Sequence, residues 1–198
     1  MSSKGEARPV KNPYAPTNAP LLPFDMWAPG VEVLRDLEPS VRELLTDSGP
    51  LIRRAERAGA AAVAARLIEQ RLGFLSREQQ ALLVAPASSC LVREVVLSGD
   101  GEAWVFAQSL VPDHTLEAHP WLAELGDASL CGTLASVEGV GYGAFEFAPL
   151  PAVHPLAARA LAGSAESPAM LWARRRWVAL RGRRLLMQEV FLPELVLC

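Results

Sequence analysis

Near its C-terminus the chain reads MLWARRRWVALRGRRLLMQEVFLP, residues 170–193, and this stretch limits what fold is available to it. Arg181-Gly182 separates two apolar-rich runs, Met170 to Leu180 and Arg183 to Leu192, which predicts a hairpin of paired strands. In the second run Leu185, Met187, Glu189 and Phe191 share one face, while Leu186, Gln188, Val190 and Leu192 share the other. Both faces are largely apolar, so the strand is expected to be covered on both sides. Glu189 then sits in the middle of a buried face, where an unpaired carboxylate costs several kcal/mol. It needs a cation, a hydrogen-bond donor or a ligand.

A second hairpin lies upstream. Ser89 to Leu97 and Ala103 to Val111 flank Gly99-Asp100-Gly101, a strong turn signal between β-rich runs. Leu91, Arg93, Val95 and Leu97 share a face, so a guanidinium lies within an apolar stripe, as the carboxylate of Glu189 does. Spacing leaves two readings open. In one, Arg93 and Glu189 form an internal salt bridge, or their ends reach water. In the other, they are the cationic and anionic ends of a dry pocket for a small hydroxylated acid. Spacing alone favours the salt bridge.

Elsewhere the pattern predicts short helices at Glu38 to Asp47, Pro50 to Ala58, Ser76 to Leu83 (helix or turn), Thr115 to Leu125 and Ser129 to Ala135 (helix or loop). Residues 60–72 fit helix by alanine content and strand by alternation. Val137 to Phe147 is Gly-rich and suits a bent or edge strand, and residues 153–167 form an Ala-rich connection. Consecutive hairpins imply antiparallel pairing, so the fold class is α+β, one antiparallel sheet with helices on a face. Residues 1–35 hold many prolines and read as an extended arm or a disordered leader, with 36–198 as a single domain.

Charge and motif content exclude several functions. A net charge of −3 gives no basic surface for nucleic acid. No apolar run reaches the roughly 20 residues of a membrane span, and the polar N-terminus lacks a signal-peptide core. Cys90, Cys131 and Cys198 are too far apart for a zinc pair, which suits a reduced, cytoplasmic protein. His114, His119 and His154 lie beside turns or prolines and are expected at the surface. Cys131 has no adjacent base and reads as a buried thiol rather than a nucleophile. Gly139, Gly141 and Gly143 lack the flanking strand and helix of a dinucleotide site. Arg174, Arg175 and Arg176 are expected to solvate an outer face.

Three segments together resemble the chorismate pyruvate-lyase family: LVREVVLSGDGEAWVFAQSLVP (91–112), LGDASLCGTL (125–134) and WARRRWVALRGRRLLMQEVFLP (172–193). DSGPLIRRAERAG (47–59) matches more weakly. The resemblance implies about six antiparallel strands, with helical flaps closing a buried ligand site. It further implies cleavage of chorismate to 4-hydroxybenzoate and pyruvate for ubiquinone-type synthesis, by a monomer needing no cofactor or metal. Carried over residue by residue, Arg93 would bind the ring carboxylate and Glu189 the ring hydroxyl, with Leu130 and Leu51 lining the pocket. Where the family commonly has an arginine thought to meet the second carboxylate, this chain has Gln108. Other departures are Cys131 for glycine, Ala135 for phenylalanine and Tyr142 for arginine. Two further functions stay open: a non-catalytic binder of aromatic acids, and a lyase retuned for pigment or secondary-metabolite synthesis. The same fold serves as the effector domain of certain transcription regulators, but 30 Pro-rich residues cannot form their winged-helix domain.

Overall fold

The computed structural model describes residues 26–49, 63–164, 168–193 and 195. The predicted helix at Pro50 to Ala58 and the pocket residue Leu51 lie outside the described residues. Within them the antiparallel α+β class holds, with one sheet of eight strands rather than six. The strands are β1 (Ala28–Pro29), β2 (Val63–Phe74), β3 (Ser89–Gly99), β4 (Glu102–Pro112), β5 (Val140–Tyr142), β6 (Glu146–Pro151), β7 (Met170–Leu180) and β8 (Arg183–Phe191). They run in the order β1-β6-β7-β8-β4-β3-β2, and β5 pairs with the far end of β7. Five short helices accompany them: α1 (Pro39–Thr46), α2 (Arg77–Leu83), α3 (Asp113–Ala118), α4 (Leu130–Leu134) and α5 (Pro155–Ala160).

Local chemistry explains the punctuation. Asp100 (φ 52°) with Gly101 (φ 90°), and Arg181 (φ 47°) with Gly182 (φ 82°), supply the paired positive φ values of the tight turns that suit the strands' twist. Ser76 and Gln79 form a reciprocal capping box, which makes α2 a helix rather than a turn. The ambiguous residues 60–72 resolve as strand: Val63–Phe74 pairs along the whole of β3, with a bulge between Leu67 and Glu69. The Gly-rich stretch divides into β5 and β6, and the Ala-rich connection contains α5. Pro155 at the first turn and His154, whose Nδ1 accepts from the Leu156 amide, start that helix. Ahead of α1, Ala28–Pro29 pairs with β6, and Leu34 is fully buried.

Helices cover both faces of the sheet, not one. On the first face, α1 packs Leu44 and Leu45 on Leu97, Val105 and Phe191. The other end of that face carries Leu130 and Leu134 of α4 over Leu91, Leu185 and Met187. On the second face, α5 packs on Phe106, Ala173 and Val190, and α2 packs on Val92, Leu110 and Leu186. Each face is therefore apolar at its two ends.

The middle of each face is polar. Across the second face the register places Glu69, Glu94, Gln108, Gln188, Arg175 and Glu146 side by side on six strands. Hydrogen bonds link this row: Gln108 Nε2 donates to Glu94 Oε1 (2.9 Å), and Gln188 Nε2 donates to Gln108 Oε1 (2.8 Å). Arg159 of α5 ion-pairs with both Glu94 and Glu69, and Arg175 Nε donates to Glu146 at 2.6 Å. The polar middle of the first face holds the residues considered next.

Candidate functional site

Three of the four residues singled out from sequence meet around one cavity. Arg93 of β3, Glu189 of β8 and Leu130 of α4 all line it, with Val95, Ala107, Ser109, Cys131 and Met187 among the other walls. The cavity is narrow, with a volume of ≈ 20 Å³, room for about one water. The pairing Arg93↔Ser109↔Met187 and Val95↔Ala107↔Glu189 puts these side chains on one face, with Arg93 and Glu189 two strands and two residues apart. Gln108 and Gln188 touch the cavity from intervening positions, but their amides bond each other on the opposite face.

Arg93 and Glu189 do not pair with each other. Glu189 accepts from Arg174 Nε at 2.5 Å, and both side chains are almost fully buried. Arg174 Nη1 also donates to the carbonyls of Leu44, Leu45 and Asp47 at the end of α1 (3.3, 2.9 and 2.6 Å). One guanidinium thus bonds the carboxylate and ties α1 to the sheet. Its plane packs on Phe145 and Phe191, at 4.5 and 5.4 Å from the ring centroids. The second carboxylate oxygen, Oε1, faces Cys131 Sγ at 4.0 Å.

Arg93 is 2% exposed and has no carboxylate partner among the described residues. One amino group, Nη2, donates to the carbonyls of Gly126 and Ala128 (2.7 and 2.6 Å), holding the loop before α4 against β3. Its Nε is buried without an acceptor. Burial lowers its pKa, and the nearby Asp127 only partly opposes this. A buried guanidinium with a free donor and no counter-ion is a site for an anion. Leu130 is placed by Ser129, which caps α4 by accepting from the Gly132 amide.

Cys131 stands between the charged groups, and its thiol is pushed up to about 12, by burial first and then by Glu189. It stays protonated at neutral pH, in keeping with a non-nucleophilic thiol.

Several expectations need correction. Arg174, Arg175 and Arg176 do not solvate an outer face. The first two are buried at 2% and 3% exposure, and the third is half-buried. Arg174 faces the cavity and Arg175 faces the opposite polar row, because alternate strand positions point opposite ways. The direct Arg93–Glu189 salt bridge is absent, since β4 separates their strands and Arg174 is opposite Glu189 in the neighbouring one. Gln108 borders the cavity, but its amide is taken up by Glu94 and Gln188 on the opposite face. The histidines are half-buried rather than superficial: His154 caps α5, and His119 Nε2 lies 3.2 Å from the Leu180 carbonyl.

This architecture, one antiparallel sheet covered by short helices, is shared with known structures. The effector domain of PhnF from Mycobacterium smegmatis superposes with a TM-score of 0.54 over 74% of this chain and 90% of that one, at 16% identity. The PhnF structure from the same organism gives 0.55 over 75% of this chain and 65% of that one, also at 16% identity. These likenesses are of fold. Sequence goes further: the chorismate lyase family model matches residues 25–196. A "Probable chorismate pyruvate-lyase" from Halorhodospira halophila (strain DSM 244 / SL1) is 38% identical over 170 residues, 85% of this chain and 90% of that protein. One from Dechloromonas aromatica (strain RCB) is 36% identical over 81% of this chain and 90% of its own length. The chain belongs to the chorismate lyase family.

Proposed function

We propose that the protein is a chorismate pyruvate-lyase, converting chorismate to 4-hydroxybenzoate and pyruvate as a cytoplasmic monomer that supplies ubiquinone-type synthesis. The observation that carries this reading is the pair of unlike charges at one cavity that do not neutralise each other. Arg93 keeps a buried donor free for a carboxylate, and Glu189, bonded to Arg174 through one oxygen, presents the other to accept from a hydroxyl. A para-hydroxylated ring acid has those two groups at opposite ends. The curated relatives' names support the same substrate.

In the reaction the C–O bond between the ring and the enolpyruvyl ether breaks. The hydrogen on the hydroxyl-bearing ring carbon passes to the enolpyruvyl methylene, which becomes the methyl group of pyruvate. The electron pair left by that hydrogen completes the aromatic ring. A cyclic transfer within the substrate balances without a co-reactant, so positioning and exclusion of water supply the catalysis and no cofactor is called for. Arg93 anchors the ring carboxylate and Glu189 fixes the hydroxyl. Leu130 and Leu51 press the ring toward the conformer in which methylene and ring hydrogen meet.

The test is to incubate purified protein with chorismate and follow 4-hydroxybenzoate and pyruvate together. Equimolar release is expected, and Arg93→Ala is expected to abolish both turnover and 4-hydroxybenzoate binding. An Arg93→Ala protein with normal kinetics would refute the site. A second reading, a non-catalytic binder of aromatic acids, draws on the fold shared with the PhnF effector domain. It predicts tight 4-hydroxybenzoate binding in calorimetry with no product from chorismate.

A further inference from the structure

Three arginines reach the cavity face of the sheet, Arg93, Arg174 and Arg176, and only Arg174 has a carboxylate partner among the described residues. Arg176 is one strand across from Met187, which lines the cavity, and its charge acts on both Cys131 and Glu189, which line it too. The guanidinium is clamped between two rings, 4.3 Å from the Tyr142 centroid and 4.4 Å from that of Phe145. Aromatic faces fix the plane of a guanidinium without using its N–H donors. Its hydrogen bonds are weak ones, to the Ser48 carbonyl (Nη2, 3.5 Å) and to the neutral Cys131 thiol, and Nε is buried without an acceptor among the described residues. Burial also lowers the arginine's pKa, so the cation is held at a cost that an anionic ligand would offset.

We propose that Arg176 binds the carboxylate of the enolpyruvyl arm, and so separates the dicarboxylate substrate from the monocarboxylate product. This rests on the lyase reading above. The row Arg93↔Ser109↔Met187↔Arg176 sets the two unneutralised guanidiniums in one line across the sheet. Three strand spacings separate their Cα atoms, about 14 Å; Arg93 lines the cavity, and Arg176 lies beyond Met187 on the same face, beside the cavity residue Cys131. Glu189 is one strand and two residues from Arg176. If Glu189 holds the ring hydroxyl, the ether on the adjacent ring carbon leaves the ring on the side of Arg176. The arm's carboxylate then meets an aligned cation whose Nε has no other partner. 4-Hydroxybenzoate has no such arm and gains nothing there.

The experiment compares wild type, Arg176→Met and Arg176→Lys by calorimetry with 4-hydroxybenzoate, and by initial-rate kinetics with chorismate. Arg176→Met is expected to raise KM for chorismate by about 10- to 100-fold, the usual worth of a charge-assisted hydrogen bond. Its affinity for 4-hydroxybenzoate should stay within about 2-fold, a change too small to represent a lost ion contact. Arg176→Lys keeps the charge but loses the planar fork, and should fall between. Equal losses for both ligands would show a merely structural role and overturn the proposal, as would an unchanged KM. If Arg176→Met fails to fold, the ratio of the two losses in Arg176→Lys decides by the same rule. If the wild type turns nothing over, the lyase reading fails. Chorismate affinity by calorimetry then replaces KM: a chorismate-selective loss upholds Arg176, and wild type that does not bind chorismate overturns it.

Discussion

Replacing Arg174 by methionine removes the counter-ion of a carboxylate that water barely reaches. The Glu189 side chain is 7% exposed and that of Arg174 is 2% exposed, with 2.5 Å between donor and acceptor. Breaking such a pair from one side costs about 3–5 kcal/mol, because the remaining charge is left buried. The same change takes the donor from the Leu44, Leu45 and Asp47 carbonyls that end α1. Two of those bonds are buried and the third partly so, and their loss adds about 1 kcal/mol. Methionine fills the volume of the arginine stem, so a cavity adds little. A total near 4 kcal/mol follows, and with a urea m-value of about 2–3 kcal/mol/M the unfolding midpoint should fall by roughly 1.5–2 M. The intrinsic tryptophans report the transition. Glu189→Gln should cost less, about 1–2 kcal/mol, because Arg174 keeps three carbonyl acceptors whereas a lone Glu189 keeps only a thiol. The double variant Arg174→Met/Glu189→Leu should recover most of the loss, having no buried charge. A midpoint for Arg174→Met within about 0.3 M of wild type, or a double variant no more stable than Arg174→Met, would refute this account of the pair.

Gln108→Leu should lower stability by about 1–3 kcal/mol, because the Glu94 carboxylate and the Gln188 amide each lose a buried partner. Its KM for chorismate should be unaltered, and a raised KM would place the side chain at the cavity after all. His154 gives a pH signature. Burial lowers its pKa from the ordinary 6.5, so the unfolded chain takes up a proton at higher pH than the folded one. Its contribution is complete above the ordinary value and is lost as pH falls below it. His154→Asn keeps an acceptor for the Leu156 amide but does not titrate, so between pH 7 and pH 5 it should lose less stability than wild type. His114, also lowered by burial, is common to both proteins. Parallel pH profiles in urea titrations would contradict the assignment.

Much of this was legible because two-residue turns transmit register. Counting back from the Leu180–Arg183 pair brings Arg174 opposite Glu189, so the partner of the buried carboxylate could have been found from the turn alone. The arginine run hid it: three successive cations suggest a solvated edge, whereas alternation sends them to opposite buried faces. Counting from Asp100-Gly101 comes out one residue off, because a bulge shifts the register between Leu97 and Ser98, and no local signal in the sequence marks it. The distance from Arg93 to Glu189 also depended on strand order. β8 joins the sheet beside β4 rather than β3, a non-local pairing that periodicity does not encode. The helix covering of both faces was already implied by the two apolar faces of β8.

The polar rows at the middle of the two faces are one residue out of step, and that offset indexes the assembly of the sheet. If β8 slid by a single position against β4 and β7, Glu189 would turn toward the apolar cluster around Val190 and α5, far from Arg174. At the same stroke Gln188 would leave its amide ladder, and the Gln108 carbonyl would lose its donor. A slipped sheet could still satisfy its backbone and bury much the same apolar area, since both faces of β8 are greasy. What it could not do is match two sets of buried charges at once. The same guanidinium and carboxylate that stand beside the cavity therefore favour the native register over a slipped one.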